Sequence, residues 1–386
     1  MPMKGSAERI LTTHVGSLPR PKDLLDLMKA ALNGQPYDHD VYAGCIRSAV
    51  AEAVRKQAES GIDIVTDGEM SKPGFFTYVR ERLAGFEARP GMKRTFFAAE
   101  VAAFPEYYEE YFKQAMLGGA VAPIVPLVCT GPLAYRGLGA LERDIDNLKS
   151  AVKAVKHEAV FMPATAPSGV GTNEYYRNDE AYFEALSEAL RVEYQAIVDA
   201  GFLLQIDDPR LSEIFADPAL DAAGRRRHAD LYVESVNHAL RGIAPEKVRY
   251  HTCYGINEGP RIHEAELKDV VGHMLRVNAG AYSFEAANPR HEHEYHLWET
   301  VKLPAGKAII PGVITHASNI VEHPELIAER LVRFARLVGR ENVIAGADCG
   351  FSSQATYHTE VHPTVVWAKF EAMAEGARLA TRQLWR

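Results

Sequence analysis

The chain has 386 residues, of which 47% are hydrophobic and 24% are charged, a composition that excludes a disordered or fibrous protein. Its 43 basic and 51 acidic side chains give a net charge of −8, which argues against nucleic acid or an anionic membrane as a partner. No apolar run approaches the roughly 18 residues that cross a bilayer, and the N-terminus lacks a signal pattern. We therefore expect a cytoplasmic protein.

Short β-type runs alternate with helical stretches along the chain, and this alternation predicts a parallel sheet covered by helices. The length favours one closed (β/α)₈ TIM barrel, a single domain over residues 1–386, rather than an open sheet. Nine runs compete for eight barrel positions, and we expect the first or the eighth to be the extra one. In chain order, they cover residues 10–15, 62–66, 124–129, 159–164, 202–206, 248–253, 281–285, 308–313 and 343–347.

Two long segments, residues 40–60 and 180–200, carry apolar side chains at helical spacing. Each stops before a glycine, Gly61 and Gly201, as helices commonly do. Both are predicted to be helices of the outer ring of the barrel.

Residues 85–122 form a segment longer than a barrel connection and rich in aromatic residues, so we interpret them as an insertion. The insertion could be a lid, a local core or a contact in a homo-oligomer, and packing is favoured over substrate binding. Its aromatic residues are Phe96, Phe97, Phe104, Tyr107, Tyr108, Tyr111 and Phe112.

Metal-ligating side chains follow three of the later predicted strands. His251 and Cys253 lie two residues apart in an extended run, so they point to the same face. Glu285 ends the next run and Cys349 follows the last one. If one barrel brings these strand ends to one rim, the four side chains surround a single point and suit Zn²⁺. The alternative is a core cysteine beside a histidine that is satisfied by the backbone.

The other cysteines have simpler explanations. Four cysteines are too few and too scattered for a disulfide framework at this length. Cys45 is predicted to be a small buried hydrophobe on a helix. Cys129 ends an apolar run, so it is either a core residue or a competitor of Cys349 for the metal.

Further polar residues close predicted strands, where barrel enzymes hold their catalytic groups. Glu69 and Asp207 are the candidates for binding a cationic group. His14 and His316 lie in turns and are candidate proton donors, although either could merely satisfy loop backbone. The histidine-rich run 290–296 is predicted to be the solvated start of a helix. No glycine-rich phosphate loop follows a strand, so neither NAD nor ATP is inferred.

Two thiolates, a carboxylate and an imidazole around Zn²⁺ sum to about −1, which is electron-rich for activating water. Such a site suits the capture of a substrate thiol, whose zinc-bound thiolate remains nucleophilic. Glu285 would be the ligand most easily exchanged for the incoming sulfur. The four residues therefore predict alkyl transfer to a thiol.

The chain resembles the catalytic barrel of cobalamin-independent methionine synthase and its short relatives, including the epoxyalkane:coenzyme M transferases; uroporphyrinogen decarboxylases have a related barrel. The resemblance implies zinc at His251, Cys253, Glu285 and Cys349. It also implies an amino-acid thiol held by the Ser17 loop, Glu69 and Asp207. The similarity rests on residues 12–20 (TTHVGSLPR), 67–69 (DGE), 204–209 (LQIDDP), 251–254 (HTCY), Glu285 and 348–350 (DCG).

Two family features are altered. Residues 163–168 lack the tryptophan that covers the pterin, and in residues 314–318 the proton-donating histidine is shifted by one position, to His316. We therefore predict zinc-dependent methyl or alkyl transfer to a small thiol, homocysteine being the leading acceptor. The donor remains open among a folate, a corrinoid on a methyl-carrier protein and an epoxide.

Three alternatives remain at this point. Epoxide opening by a sulfonated thiol would need cations near the metal, such as Arg20, Lys72 or Arg290. A non-catalytic barrel with structural zinc would keep its metal closed to thiols. A metal-free decarboxylase would have no use for the histidine and the two cysteines.

Overall fold

The computed structural model describes residues 7–92, 97–114, 119–121, 125–255 and 258–385. Eight parallel strands form one sheet in the order β1-β11-β10-β9-β8-β7-β5-β2. The strands, in chain order, are β1 (Leu11–Thr12), β2 (Ile64–Val65), β3 (Leu83–Ala88), β4 (Leu127–Tyr135), β5 (Ala159–Thr165), β6 (Thr172–Asn173), β7 (Leu203–Asp207), β8 (Val248–His251), β9 (Ala281–Phe284), β10 (Ala308–Ile314) and β11 (Ile344–Ala347).

The edges of this sheet, β1 and β2, also meet. The Asp63 amide donates to the Thr12 carbonyl at 3.1 Å, and the Thr13 hydroxyl donates to the Ile64 carbonyl at 3.2 Å. The sheet is therefore a nearly closed barrel, and the predicted (β/α)₈ fold class is confirmed.

Helices surround the barrel. Two of them confirm the sequence prediction: α2, which ends before Gly61 (φ 83°), and α7, which ends before Gly201 (φ 92°). The helices are α1 (Lys22–Leu32), α2 (His39–Glu59), α3 (Val79–Arg82), α4 (Ala98–Ala103), α5 (Pro105–Gln114), α6 (Leu138–Val152), α7 (Asp179–Asp199), α8 (Arg210–Ala216), α9 (Ala222–Ala239), α10 (Leu267–Met274), α11 (Pro324–Val338) and α12 (Pro363–Leu384). Among the described helices, none is long and apolar enough to cross a membrane.

Apolar side chains fill the barrel interior near the start of the strands. They form a buried cluster separate from the main core, and this packing leaves the carboxyl ends of the strands as the place for a site. The cluster consists of Leu11, Ile64, Phe161, Leu203, Ala281, Ala308, Ile310 and Ile344.

The extra run of the nine is the third, 124–129, so the expectation that the first or the eighth lies outside the barrel was wrong. Its residues 127–129 belong to β4, which pairs antiparallel with β3 and parallel with β6 in a separate three-stranded sheet. Ile124 lies outside the described residues. A short apolar run has the same pattern in either sheet, because only its pairing partners differ.

The predicted insertion, residues 85–122, leaves from this small sheet and carries α4 and α5. Residues 93–96, 115–118 and 122 of it lie outside the described ranges, Phe96 among them. Tyr108 and Tyr111 are buried and form an aromatic cluster in which the rings of Phe97, Phe104 and Phe112 also pack. The aromatic residues thus form a local core.

Candidate metal and substrate site

A cavity of about 230 Å³ lies at the carboxyl ends of the barrel strands. Six of the nine site residues predicted from the sequence line it: Ser17, Glu69, Asp207, His251, Cys253 and Cys349. The three metal-ligand candidates and the two carboxylates therefore share one space.

Three predicted ligands converge on one wall of this cavity. His251 is the last residue of β8, Cys253 follows two residues later, and Cys349 comes two residues after the end of β11. Their ligand atoms all lie within 4.8 Å of one another, with 3.1 Å between the two sulfur atoms. All three side chains are buried.

The chemistry of these three donors fits zinc. The Nδ1 atom of His251 is hydrogen-bonded to the Ser283 hydroxyl at 3.2 Å, while its Nε2 atom is buried and has no partner among the described residues. Burial lowers the pKa of His251 to about 3, so the ring is neutral and offers a lone pair. One imidazole nitrogen and two sulfurs form a typical zinc donor set.

The thiol of Cys253 needs a cation to ionise. The hydrogen bond with Cys349 and burial together raise the pKa of Cys253 well above its ordinary value. A divalent cation at this point would reverse that effect, since coordination deprotonates a thiol.

Glu285, the fourth predicted ligand, lies beside this group but is bonded elsewhere. Its Oε1 accepts from the Tyr254 amide at 2.9 Å, and its Oε2 accepts from Arg261 Nη2 at 2.6 Å and Asn288 Nδ2 at 2.8 Å. Its carboxylate lies within 4.8 Å of ligand atoms of His316 and Asp348 rather than in the cysteine group. The structure therefore brings three of the four predicted ligands together.

Glu69 projects into the cavity from a strained turn. Its backbone is left-handed (φ 57°), and two contacts hold the turn: Asp67 Oδ1 accepts from the Glu69 amide at 2.9 Å, and Arg20 Nη2 donates to the Glu69 carbonyl at 2.8 Å. Its Oε2 atom is buried and has no partner in the described part of the chain. Strain and an unpaired oxygen at one residue indicate a binding role.

Asp207, at the end of β7, is the second carboxylate of the cavity. Its Oδ1 accepts from Gln205 Nε2 at 2.7 Å. Burial raises the pKa of both Glu69 and Asp207, and the charge of Glu69 raises that of Asp207 further. Two buried carboxylates with raised pKa values are a favourable place for a cationic ligand group.

Glycine is needed after Cys349 because of Ser17. A side chain at Gly350 would overlap the Ser17 hydroxyl, which is itself buried. Asp348 of the same Asp-Cys-Gly motif is structural, since it accepts from the Ala286 and Ala287 amides at 2.8 Å. The Asp-Cys-Gly motif thus fixes Ser17, Cys349 and the loop after β9 relative to one another.

The two predicted proton donors lie away from the cavity lining. His14 Nε2 meets Gln57 Oε1 at 2.8 Å, and its Nδ1 accepts from the Gly16 amide at 3.2 Å. His316 Nε2 donates to the Gly255 carbonyl at 3.2 Å, and its Nδ1 is buried without a partner in the described ranges. Burial lowers the pKa of each histidine to about 4. Their catalytic role stays a prediction.

The sequence analysis missed a buried network beside Glu285. His291, predicted to be solvated, is buried, which corrects that expectation: its ring contacts Glu294 at 2.8 Å and Glu264 at 3.0 Å. Burial lowers its pKa, but the two carboxylates outweigh that effect and raise it to about 9. The spacing of His291 and Glu294, three residues apart, was the one available signal.

Comparison with known proteins places these motifs in context. The family model "Cobalamin-independent synthase, Catalytic domain" matches residues 10–93 and 142–369, which leaves out much of the insertion. The methionine synthase of Sulfolobus acidocaldarius is 24% identical over 340 residues, 88% of this chain and 85% of the relative. That of Saccharolobus solfataricus is 23% identical over 380 residues, 97% and 96% of the two chains.

A solved structure shares the fold. The B12-independent methionine synthase from Shewanella sp. W3-18-1, in complex with selenomethionine, superposes with a TM-score of 0.71. The match covers 97% of this chain and 99% of that one at 19% identity.

Proposed function

Because the chain belongs to the family of cobalamin-independent synthase catalytic domains, which are methyltransferases, we propose that it methylates the thiol of homocysteine with the help of a bound Zn²⁺. His251, Cys253 and Cys349 would hold the ion. The observation that carries this proposal is the shared cavity, which these three side chains line together with Glu69 and Asp207.

The two carboxylates would bind the ammonium group of the acceptor. A positive charge beside Glu69 and Asp207 offsets the cost of their burial and supplies the partner that Glu69 Oε2 lacks. With its ammonium group fixed there, an amino acid with a short thiol side chain would reach toward the cysteines, and Ser17 lines the same cavity.

When bound, Zn²⁺ would lower the pKa of the acceptor thiol and leave a sulfur that is still nucleophilic. Three protein ligands on a cavity wall are typical of a site that keeps one coordination position for the substrate. Arg261 and Asn288 hold the Glu285 carboxylate through hydrogen bonds, so a bound Zn²⁺ held by the other three residues would remain accessible to the thiol.

The structure offers little to the epoxide alternative with a sulfonated thiol. Arg20 donates to the carbonyls of Ser352, Glu69 and Lys72. Lys72 donates to the Pro163 carbonyl at 2.6 Å, and Arg290 to the Arg261 carbonyl at 3.0 Å. None of these three cations is among the described residues that line the cavity, so none of them is placed to bind a sulfonate there.

X-ray absorption at the zinc edge tests the proposal. We expect zinc with two sulfur neighbours in the protein alone and a third sulfur after homocysteine is added. Homoserine is the matched control, since it keeps the ammonium and carboxylate groups but has no sulfur. Absence of zinc, or an unchanged sulfur count with homocysteine, would contradict the proposal and favour a structural or metal-free barrel.

A further inference from the structure

The insertion supplies the outer wall of the cavity. Residues 97–100, at the start of α4, line the cavity opposite the barrel. The Phe97 ring packs against Gly255, and the Tyr107 hydroxyl donates to the Glu258 carbonyl at 3.1 Å. This wall lies outside the residues that the family model matches, 10–93 and 142–369.

Glu100 is the polar group of that wall. Only 4% of the residue is exposed, and its Oε1 accepts from the His263 amide at 2.5 Å. Its Oε2 is buried and has no hydrogen-bond partner in the described ranges. A carboxylate oxygen buried without a partner is costly, and a cationic ligand group in the cavity that Glu100 lines would offset that cost.

The surroundings of Glu100 also favour a cation. Phe75 and Phe76 form an edge-to-face pair with ring centres 4.9 Å apart and line the cavity with Phe97. Aromatic faces attract sulfonium and quaternary ammonium groups. Six carboxylates and no lysine are among the described lining residues; Glu213 is paired with Arg210 at 2.5 Å and Glu264 with Arg261 at 2.8 Å, which leaves four carboxylates without an ion pair.

We propose that the methyl donor is an onium compound, a methylated sulfonium or quaternary ammonium ion, whose charge lies beside Glu100 and the phenylalanine rings. This inference rests on the proposed function, since it names the second substrate of the same site. The cavity volume, about 230 Å³, lies below the roughly 300–1,000 Å³ of most ligand pockets and suits a small donor.

The transfer balances without a further reactant. The acceptor sulfur, having lost its proton to solvent, attacks the methyl carbon and forms a carbon–sulfur bond. The bond from that carbon to the donor heteroatom breaks, and its electron pair stays on the heteroatom. The products are a methyl thioether and a neutral sulfide or tertiary amine, so the leaving group requires no acid.

Donor competition with the zinc-loaded protein and homocysteine tests the inference. The donors are trimethylsulfonium, tetramethylammonium, 5-methyltetrahydrofolate and methylcobalamin, and the readout is the methionine formed. We expect methionine from at least one of the two onium ions. Whether trimethylsulfonium or tetramethylammonium reacts shows whether the site accepts a donor methylated on sulfur or on nitrogen.

Variants of Glu100 link the donor to the insertion. We expect E100Q to raise the KM for the onium donor about 10-fold or more, with the KM for homocysteine within about twofold. E100D, which keeps the charge, should recover part of the loss. The control is E109Q on the exposed face of α5, and thermal unfolding of each variant verifies that it is folded.

The outcomes separate the two proposals. Methionine from the folate or the corrinoid but from neither onium ion overturns the donor inference and leaves homocysteine methylation standing. An unchanged donor KM in folded E100Q also overturns it. A zinc spectrum that does not respond to homocysteine overturns the proposed function itself.

Discussion

Asp207 and Asp208 are consecutive and both are buried, but they lie in two different regions. Asp208 belongs to a completed hydrogen-bond network, whereas Asp207 lines the cavity. Asp208 faces the helices, where its carboxylate accepts from the Ser168 hydroxyl at 2.6 Å, the Tyr250 hydroxyl at 2.8 Å and the Leu211 amide at 3.2 Å. Asp207 faces the cavity, close to the unpaired oxygen of Glu69.

The difference separates architecture from binding. Buried polar groups whose hydrogen bonds are complete stabilise the barrel, as Asp208 and Asp348 do. Groups that remain incomplete at full burial cost stability until a ligand arrives. Substitutions on the two sides should therefore affect different quantities, stability on one side and binding on the other.

The largest effect is expected for the three proposed metal ligands. C349S should lower the affinity for zinc by more than the roughly 10–100-fold that loss of a supporting partner causes, and activity should disappear with the metal. The control is C129S, since the Cys129 thiol donates to the Gly131 carbonyl outside the cavity and a serine can do the same. Metal content after dialysis is the measurement, and zinc retention in C349S would contradict the assignment.

The paired aspartates provide the direct test of the comparison. D207N should weaken homocysteine binding on the order of 100-fold, because it removes one partner of a buried charge pair, while stability hardly changes. D208N should lower the free energy of unfolding by roughly 1–3 kcal/mol, because it disrupts a completed network. Calorimetric binding and denaturant unfolding measure both. Equal effects of the two variants on stability would remove the distinction.

Homocysteine binding should depend on pH with a definite sign. Burial raises the pKa values of Glu69 and Asp207, so the free protein retains protons above the usual carboxylate range near pH 4. The incoming ammonium group favours ionised carboxylates, so binding releases protons and affinity falls as the pH is lowered. Calorimetry in buffers of different ionisation enthalpy measures this release. The E69Q variant should release fewer protons on binding homocysteine. Uptake of protons by the parent protein on binding would contradict the prediction.

A smaller effect concerns acid stability. His14 has an unfolded pKa near 6.5 that burial lowers to about 4, so the unfolded chain binds more protons below pH 6.5. The contribution of His14 to the free energy of unfolding is fully present above pH 6.5. It is lost as the pH falls toward 4, and the loss amounts to roughly 2 kcal/mol at pH 5. H14Q should flatten the unfolding free energy between pH 7 and 5. The control H39Q, at an exposed position, should retain the slope of the parent protein.

The sequence was informative where function depends on strand ends. His251, Cys253 and Cys349 lie at or just after barrel strands, so alternation and chain order sufficed to predict that they meet. The same logic placed Glu69 and Asp207 at the rim. Backbone topology alone positions these five residues, which is why a pattern could find them.

Features that depend on side-chain partners were not predictable. Glu285 is hydrogen-bonded to Arg261, a residue 24 positions earlier whose backbone is left-handed (φ 60°). No local sequence pattern predicts this pair. Glu100 lies in the insertion and reaches the cavity only because α4 packs over it. The run 124–129 was misplaced for a similar reason, since its apolar pattern says nothing about which strands it joins.

The pairing of β3 with β4 has a consequence for how such a protein can change. Ala88 and Leu127 are register partners, so the chain between them departs and returns at neighbouring points of one small sheet. Segments with adjoining ends can be lengthened or replaced at little entropic cost to the rest of a fold. A natural or grafted change in the length of the segment from 89 to 126 would therefore cost the barrel little, while it would alter the cavity wall that residues 97–100 supply.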